Sequence, residues 1–255
     1  MKLGFIGTGK IASSVIIGIC KSKIKYKQII ISYRNKKTSL SLKKKFKRII
    51  ISKTNQEIID KSDWIFLSVT PTVGEKIIKD LKFRSNQKVI SFISTITLSQ
   101  LKKMIKKKID IVRAIPLPPI SMKEGPVPIC PPNKKVKAFF DKLGSTVEIK
   151  NEKLSINFWS TSGLMAPYYN MLDTISVWLN KKGVKKLDAQ KYVTSLFLAL
   201  SKDAVINSTK DLKLLIKESQ TPKGLNEKGL KEMIKKDVYK SVVSTLNSIH
   251  KRLDK

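Results

Sequence analysis

The sequence predicts an α/β protein, with an N-terminal doubly wound parallel sheet followed by an all-helical domain. Short apolar, β-branched runs alternate with helical segments over the first 150 residues, and a glycine-rich turn follows the first run. No strand pattern remains after about residue 152. Strands that alternate with helices form a parallel sheet with helices on both faces. We therefore expect one domain at 1–150 and a second at 151–255.

Each predicted strand is a short run rich in Ile, Val, Phe or Trp, the residue types favoured in sheets. The predicted strands cover 1–6, 28–33, 48–52, 63–69, 88–93 and 110–115. The helices between them cover 10–22, 37–47, 54–61, 72–81 and 97–108, and 133–150 adds one helix and one strand. In the second domain, helices are predicted at 153–182, 187–209, 211–219 and 226–252.

Proline is concentrated in one segment between the two predicted domains. Seven of the chain's 10 prolines lie between residues 116 and 132. Proline has no backbone N–H and is excluded from helix interiors and central strands. We expect a structured loop here that contains at most an edge strand.

The composition is that of a folded but strongly basic protein. Hydrophobic residues make up 41% of the chain, and 52 Lys and Arg outweigh 19 Asp and Glu to give a net charge of +33. Such a charge is typical of proteins that bind nucleic acids or anionic membranes. Here the lysines are spread along the chain, and Arg, which recognises nucleic acids through its bidentate fork, is scarce. We expect no specific nucleic-acid or membrane partner, but a salt-sensitive attraction for small anions.

Several classes of protein are disfavoured by what the chain contains. Two cysteines, Cys20 and Cys130, and one histidine, His250, are too few for a disulfide scaffold or an ordinary zinc site. We therefore expect no metal. The sequence has no run of about 18 apolar residues, so no membrane span is predicted. The N-terminus has too short an apolar core for a signal peptide. A cytoplasmic location is expected.

A phosphate-binding turn is predicted directly after the first strand. Residues 7–12 read Gly-Thr-Gly-Lys-Ile-Ala, which is G-x-G-x-x-A between a strand and a helix. In the Rossmann fold, the first glycine allows the tight turn, the second admits a pyrophosphate, and the helix N-terminus binds the anion. The alternative is a tight turn without a ligand. The candidate cofactor residues here are Gly7, Thr8, Gly9, Lys10 and Ile11.

The end of the second strand indicates which dinucleotide is bound. An NAD site needs Asp or Glu about 20 residues after the glycines, to hold the ribose 2′-hydroxyl. The chain has no acid there and instead carries Ser32, Arg34, Asn35 and Lys36, which suit a 2′-phosphate. We expect NADP (NADPH) as the cofactor, although these basic residues could simply reflect a basic chain.

Further candidate residues follow the other predicted strands. Ligands of open α/β sheets lie beyond the carboxyl ends of the strands. Val69, Thr70 and Pro71 follow the fourth strand and are expected beside the cofactor, as are segments 94–95 and 113–119.

Several short patterns together resemble one enzyme family over nearly the whole chain. They are found at 5–12, 66–71, 89–91, 96–101, 112–114, 143–148, 167–168 and 183–184. In these patterns the chain resembles the pyrroline-5-carboxylate reductases. The resemblance implies a Rossmann domain, a helical domain that interlocks with a partner subunit, and NAD(P)H-dependent reduction of a cyclic imine, 1-pyrroline-5-carboxylate, to proline.

The resemblance also implies a substrate site between the 113–119 loop and the 221–226 turn of the partner subunit. That turn opens the last helix, whose N–H groups would bind the substrate carboxylate. Thr221 and Asn226 are the candidate catalytic residues, with Asn226 facing the substrate nitrogen. The candidate substrate-binding residues are Lys223, Gly224, Leu117 and Met165. The alternative is an ordinary helix start with a surface lysine.

The chain departs from the family in the segments nearest the substrate. Leu117 stands where the family usually has Asn, Lys223 where it has Gly, and Asn226 where it has Thr. The turn at 162–168 differs as well. A reductase of a larger or less polar imine therefore stays open, as does a non-catalytic NADP-binding protein.

Two further features bear on the reaction and the assembly. The β-hydroxyacid dehydrogenases combine similar domains but need a Lys on the first long helix, and 155–180 contains none. This favours imine over alcohol chemistry.

Segment 192–200 is strongly apolar, and one layer of helices cannot bury all of its apolar surface. A homodimer or a larger homo-oligomer is therefore expected.

Overall fold

An eight-stranded sheet organises the N-terminal part of the chain. The computed structural model describes residues 1–253. The strands are β1 (Lys2–Ile6), β2 (Gln28–Ser32), β3 (Ile49–Ser52), β4 (Trp64–Leu67), β5 (Lys88–Ser91), β6 (Asp110–Ala114), β7 (Pro126–Cys130) and β8 (Ser145–Glu148). Their order is β3-β2-β1-β4-β5-β6-β7-β8. Because the chain winds from β1 to β2 and β3 on one side and to β4 on the other, the switch point lies between β1 and β4, where open α/β sheets bind ligands.

Helices cover both faces of this sheet and bury two apolar cores. They are α1 (Lys10–Lys21), α2 (Lys36–Lys45), α3 (Asn55–Lys61), α4 (Pro71–Ile77), α5 (Leu98–Ile105) and α6 (Lys134–Phe140). One core contains Phe5 and Phe66, whose rings stack 4.3 Å apart, and the other contains Ile6 and Ile30 from the opposite face of the sheet. The predicted doubly wound sheet is confirmed.

The proline-rich segment was predicted wrongly. It contains β7, which lies between β6 and β8 instead of at an edge and is antiparallel to β6. The prolines fit because successive residues of a strand direct their N–H and C=O groups to opposite neighbouring strands. Pro128 directs its carbonyl, and hence its missing N–H, towards Ile115, beyond the end of β6. The carbonyl of Ile129 faces the other way, towards the β8 side, and accepts the N–H of Ile149.

The remainder of the described chain is helical. Its helices are α7 (Ser155–Ser162), α8 (Met165–Lys181), α9 (Lys186–Ile206), α10 (Leu212–Glu218), α11 (Leu225–Lys235) and α12 (Val238–Leu253). The single helix predicted at 153–182 is broken at Gly163 and Leu164. Pro167 explains the break, because proline is tolerated in the first turn of a helix and not in its interior.

The chain divides into two compact units, Met1–Trp159 and Ser160–Lys255. The helical unit leaves many large apolar side chains exposed, among them Trp178 at 57%, Tyr192 at 61% and Leu200 at 57%. No helix in the described part of the chain has both the length and the apolar character needed to span a membrane.

Candidate cofactor and substrate sites

A cleft opens at the switch point of the sheet and gathers most of the predicted cofactor residues. Its volume is about 400 Å³. It is lined by Gly7, Thr8, Gly9, Arg34, Asn35, Lys36, Ser68, Val69 and Thr70. All of these residues except Ser68 were predicted from the sequence to contact the cofactor. In the structure they lie together on one surface.

The two glycines of the turn have different reasons to be glycine. Gly7 has φ +99°, and a Cβ built on it would lie 2.1 Å from the carbonyl oxygen of Ser68. Gly9 has an ordinary extended backbone, with φ −69° and ψ −173°, and a Cβ there would meet nothing within 4 Å. The fold therefore requires glycine at position 7, whereas at position 9 the missing side chain leaves open space beside the helix.

The N-terminus of α1 faces this space without a side-chain cap. Gly9 is the N-cap residue, and the first helical bond runs from the Ser13 N–H to the Gly9 carbonyl. The N–H groups of Lys10, Ile11 and Ala12 precede that bond and so have no partner within the helix. Lys10 and Ile11 thus begin α1, and their backbone N–H groups are available to an anion.

The predicted 2′-phosphate residues lie where β2 passes into α2. Arg34 and Lys36 are exposed, and Asn35 caps α2 by accepting the Thr38 N–H at 3.2 Å. Ser32 is different: it is 6% exposed, and its Oγ accepts the Gly7 N–H at 2.9 Å. Ser32 therefore supports the glycine-rich turn.

A second cavity, of about 470 Å³, adjoins the first at Gly7, Arg34 and Val69. It adds residues that sequence reasoning missed, namely Tyr33, Ser52, Lys53, Thr54, Asn55, Val73 and Ile77. Neither cavity is lined by an Asp or Glu among the described residues. The signal for the 52–55 segment was available, because in a doubly wound sheet the third strand lies beside the second and ends at the same edge.

One carboxylate, that of Glu57, holds the beginning of the 52–55 segment through hydrogen bonds. Glu57 accepts hydrogen bonds from the Ser52 hydroxyl at 2.6 Å and from the Lys53 N–H at 3.2 Å. Together with the ammonium of Lys61, the largest influence, these bonds lower the pKa of Glu57 to about 2. The carboxylate is thus ionised and held by its neighbours at neutral pH.

The turn after β4 continues the wall of the cleft. Val69 and Thr70 line it, and Pro71 begins α4. Proline is favoured at that first helical position because its fixed φ suits the helix.

A buried arginine anchors the end of β6, next to the predicted substrate loop. Arg113 is 3% exposed and donates to the Glu152 carboxylate and the Ser94 carbonyl, with its guanidinium 4.3 Å from the Trp159 ring centroid. Burial lowers the pKa of Arg113, and the Glu152 carboxylate opposes that shift. Leu117, four residues further on, is half-buried.

The helical unit contains the predicted substrate turn. Gly224 donates its N–H to the Thr221 carbonyl at 2.8 Å, and Lys223 has φ +61°. Pro222 in the second position and a left-handed residue in the third are typical of a type II turn, in which the third residue is normally glycine. The glycine-like geometry is thus kept with lysine in place.

Other contacts of this turn use some of its polar groups. The Lys223 N–H donates to Glu227 Oε2 at 2.5 Å, and the Asn226 side chain donates from Nδ2 to the Ser219 carbonyl at 2.8 Å. The first helical bond of α11 runs from the Lys228 N–H to the Gly224 carbonyl, so the N–H groups at 225–227 precede it. Met165, the other predicted substrate residue, is half-buried and begins α8.

Comparisons with known proteins were consistent across both units. The family model described as "NADP oxidoreductase coenzyme F420-dependent" matches residues 2–96, and the model described as "Pyrroline-5-carboxylate reductase dimerisation" matches residues 157–255. The chain is 21% identical to "Pyrroline-5-carboxylate reductase 2" of Bacillus subtilis, over 98% of this chain and 93% of that protein. It is 24% identical to "Pyrroline-5-carboxylate reductase" of Synechocystis, over 99% and 97%.

Solved structures show the same fold. A 1-pyrroline-5-carboxylate reductase from Streptococcus pyogenes matches with a TM-score of 0.84 and 23% identity, over 99% of this chain and 98% of that one. A Plasmodium falciparum pyrroline carboxylate reductase with NADP bound matches with a TM-score of 0.83 and 22% identity, over 99% and 97%.

Proposed function

We propose that this chain, which belongs to the pyrroline-5-carboxylate reductase family, uses NADPH to reduce 1-pyrroline-5-carboxylate to proline. The observation that carries the proposal is the match to relatives of that name over nearly the full length of both chains. The cleft at the switch point supplies independent support for the cofactor.

The residues of the cleft fit a dinucleotide phosphate. The space at Gly9 and the uncapped N-terminus of α1 suit the pyrophosphate. Arg34 and Lys36, with no carboxylate among the lining residues, suit a 2′-phosphate in place of a free 2′-hydroxyl. The apolar side chains of Val69, Val73 and Ile77 in the adjoining cavity suit a planar base.

The chemistry places few demands on the protein. Bound NADPH supplies the hydride. A protonated imine is already an electrophile, so the protein needs no strong acid and serves mainly to bind and orient. We assign carboxylate binding to the N–H groups at the start of α11 and to the charge of Lys223, with Gly224 allowing the turn to close against Thr221. The Oδ1 atom of Asn226 accepts a hydrogen bond from the substrate nitrogen. We assign Thr221, whose hydroxyl lies against Gly224, to the same site.

A second candidate is the reduction of a less polar imine by the same site. It is favoured by Leu117, a half-buried apolar side chain just beyond β6, and by the apolar Met165. A substrate screen that includes cyclic imines without a carboxylate tests this candidate. If pyrroline-5-carboxylate is the only imine that is reduced, the candidate is excluded.

We further propose that the working unit is a homodimer, or a larger homo-oligomer, in the cytoplasm. The dimerisation family model covers the helical unit, where Trp178, Tyr192 and Leu200 are each more than half exposed in the single chain. A second copy would cover such a surface. Both cysteines are free thiols, as suits a reducing compartment.

The direct test is NADPH oxidation with racemic pyrroline-5-carboxylate, with NADH in parallel and at physiological salt to suppress non-specific anion binding. We expect turnover of roughly 1–1000 per second, with NADPH preferred. Tight NADPH binding without turnover would leave the cofactor assignment standing and reject the substrate. Absence of binding would reject both.

A further inference from the structure

A buried network of hydroxyl groups connects the two halves of the cofactor cleft. Thr8, Ser32 and Ser39 are 2%, 6% and 0% exposed. Ser39 Oγ donates to the carbonyl oxygens of Ser32 and Asn35, each at 2.9 Å, and lies 3.1 Å from Thr8 Oγ1. Ser32 Oγ in turn accepts the Gly7 N–H. The network therefore links the glycine-rich turn, the end of β2 and the first turn of α2.

The direction of each hydrogen bond follows from counting protons. A serine hydroxyl has one proton, and carbonyl oxygens can only accept. The Ser39 proton therefore points to the two carbonyls, and in the third contact Thr8 donates to Ser39. Because the Thr8 hydroxyl donates its proton to Ser39, it connects the glycine-rich turn to α2 and has no proton left for a phosphate. Phosphate binding at this turn then depends on backbone N–H groups.

We propose that Ser39 is a positioning residue for NADPH. Ser39 does not line either cavity, so it acts through the elements that it joins. Its bond to Asn35 is the ordinary bond of a helical serine to the residue four earlier, but the contacts with Ser32 and Thr8 reach outside α2. They fix the distance between the pyrophosphate turn and the Arg34–Lys36 segment, which one NADPH molecule must reach at once. This inference rests on the proposed binding of NADPH.

The first variant to test is Ser39→Ala, with Kd measured for NADPH and for NADH. We expect NADPH affinity to fall about five- to ten-fold, the equivalent of one net hydrogen bond. NADH affinity should fall less than two-fold, because NADH has no 2′-phosphate with which to reach the second segment. The preference for NADPH therefore decreases, which a loss of general stability would not produce.

Thr8→Val removes the Thr8–Ser39 hydrogen bond from its other end while keeping the side-chain shape. It should lower the NADPH preference, though by no more than Ser39→Ala, which also loses the contact with Ser32. The double variant should be no worse than Ser39→Ala, because Thr8→Val removes a contact that Ser39→Ala has already removed. If Ser39→Ala does not fold, Thr8→Val alone decides the question.

The matched control is Ser62→Ala. Ser62 is likewise 0% exposed, but its hydroxyl lies against the position of Gly4 and, in the described part of the chain, makes no hydrogen bond. It should leave both affinities unchanged. A folded Ser39→Ala or Thr8→Val protein that retains the wild-type NADPH preference would overturn the positioning role. A wild-type protein that binds neither dinucleotide would instead overturn the proposed function.

Discussion

Replacing each glycine of the turn by alanine should separate folding from cofactor binding. At Gly9 the backbone angles are open to alanine, and the added Cβ meets nothing within 4 Å. Alanine gains stability by restricting the unfolded chain and loses some as a poorer N-cap residue, so the two effects should offset to within about 1 kcal/mol. A chain of this size would then change its Tm by no more than about 4 °C.

The same Gly9→Ala substitution should strongly weaken NADPH. The Cβ fills the space from which a phosphate would reach the N–H groups of α1. Loss of one charge-assisted hydrogen bond amounts to about 1.5–3 kcal/mol, which is roughly a 10- to 150-fold weaker affinity. Isothermal titration calorimetry with NADPH gives this number directly, and circular dichroism gives the Tm.

Gly7→Ala is the contrasting variant. A left-handed alanine costs about 1–2 kcal/mol, and its Cβ would also collide with the Ser68 carbonyl, 2.1 Å away. Together with about 1–3 kcal/mol for overpacking, the protein should lose about 2–5 kcal/mol of unfolding free energy. The reasoning fails if Gly9→Ala binds NADPH as the wild type does, or if Gly7→Ala is as stable as Gly9→Ala.

Three further predictions concern single side chains. Lys223→Gly should raise the unfolding free energy by about 0.5–1 kcal/mol, because φ +61° strains lysine, whereas Lys223→Ala should not, and thermal unfolding distinguishes them. Arg34→Ala should weaken NADPH by about 1–3 kcal/mol more than NADH, and equal losses in paired titrations would place the 2′-phosphate elsewhere. Glu57 has a folded pKa of about 2 against an ordinary 4.5, so its contribution to stability is complete above about pH 4.5 and is lost as the pH falls towards 2. The stability gap to Glu57→Gln should close over that range in acid unfolding curves, and a constant gap would contradict the assignment.

The sequence was most informative where one local pattern had one structural solution. The turn at 7–12 required a strand before it and a helix after it, and the sheet order then placed Arg34 and Val69 at the same edge. The interior position of β7 was missed because proline was judged by its missing N–H alone. Whether that loss matters depends on which neighbour the N–H would face, and Pro128 faces the end of β6, which only the sheet register reveals.

The hydrogen bonds that hydroxyl groups make to residues distant in the chain could not be predicted from the sequence either. Ser32 was expected beside the 2′-phosphate and lines the second cavity, but the sequence did not indicate that its Oγ also accepts the Gly7 N–H. Ser39 attracted no notice, because a serine in a lysine-rich helix ordinarily faces solvent. Its full burial depends on how α2 packs against β3 and α1, and that packing is a tertiary property.

The positions of some lysines bear on the meaning of the charge of +33. Four described residues other than glycine have positive φ, and three of them are lysines, Lys106, Lys123 and Lys223. Lysine has no side-chain chemistry that favours the left-handed region, where Gly or Asn is less strained. Lysine therefore occupies positions that local structure would assign to other residues. This argues that much of the charge is a general property of the composition and was not selected as a binding surface. On that view its main effect on function is to attract anionic ligands over a distance. NADPH association should then slow steeply with added salt even in Arg34→Ala, where the local contact is already gone.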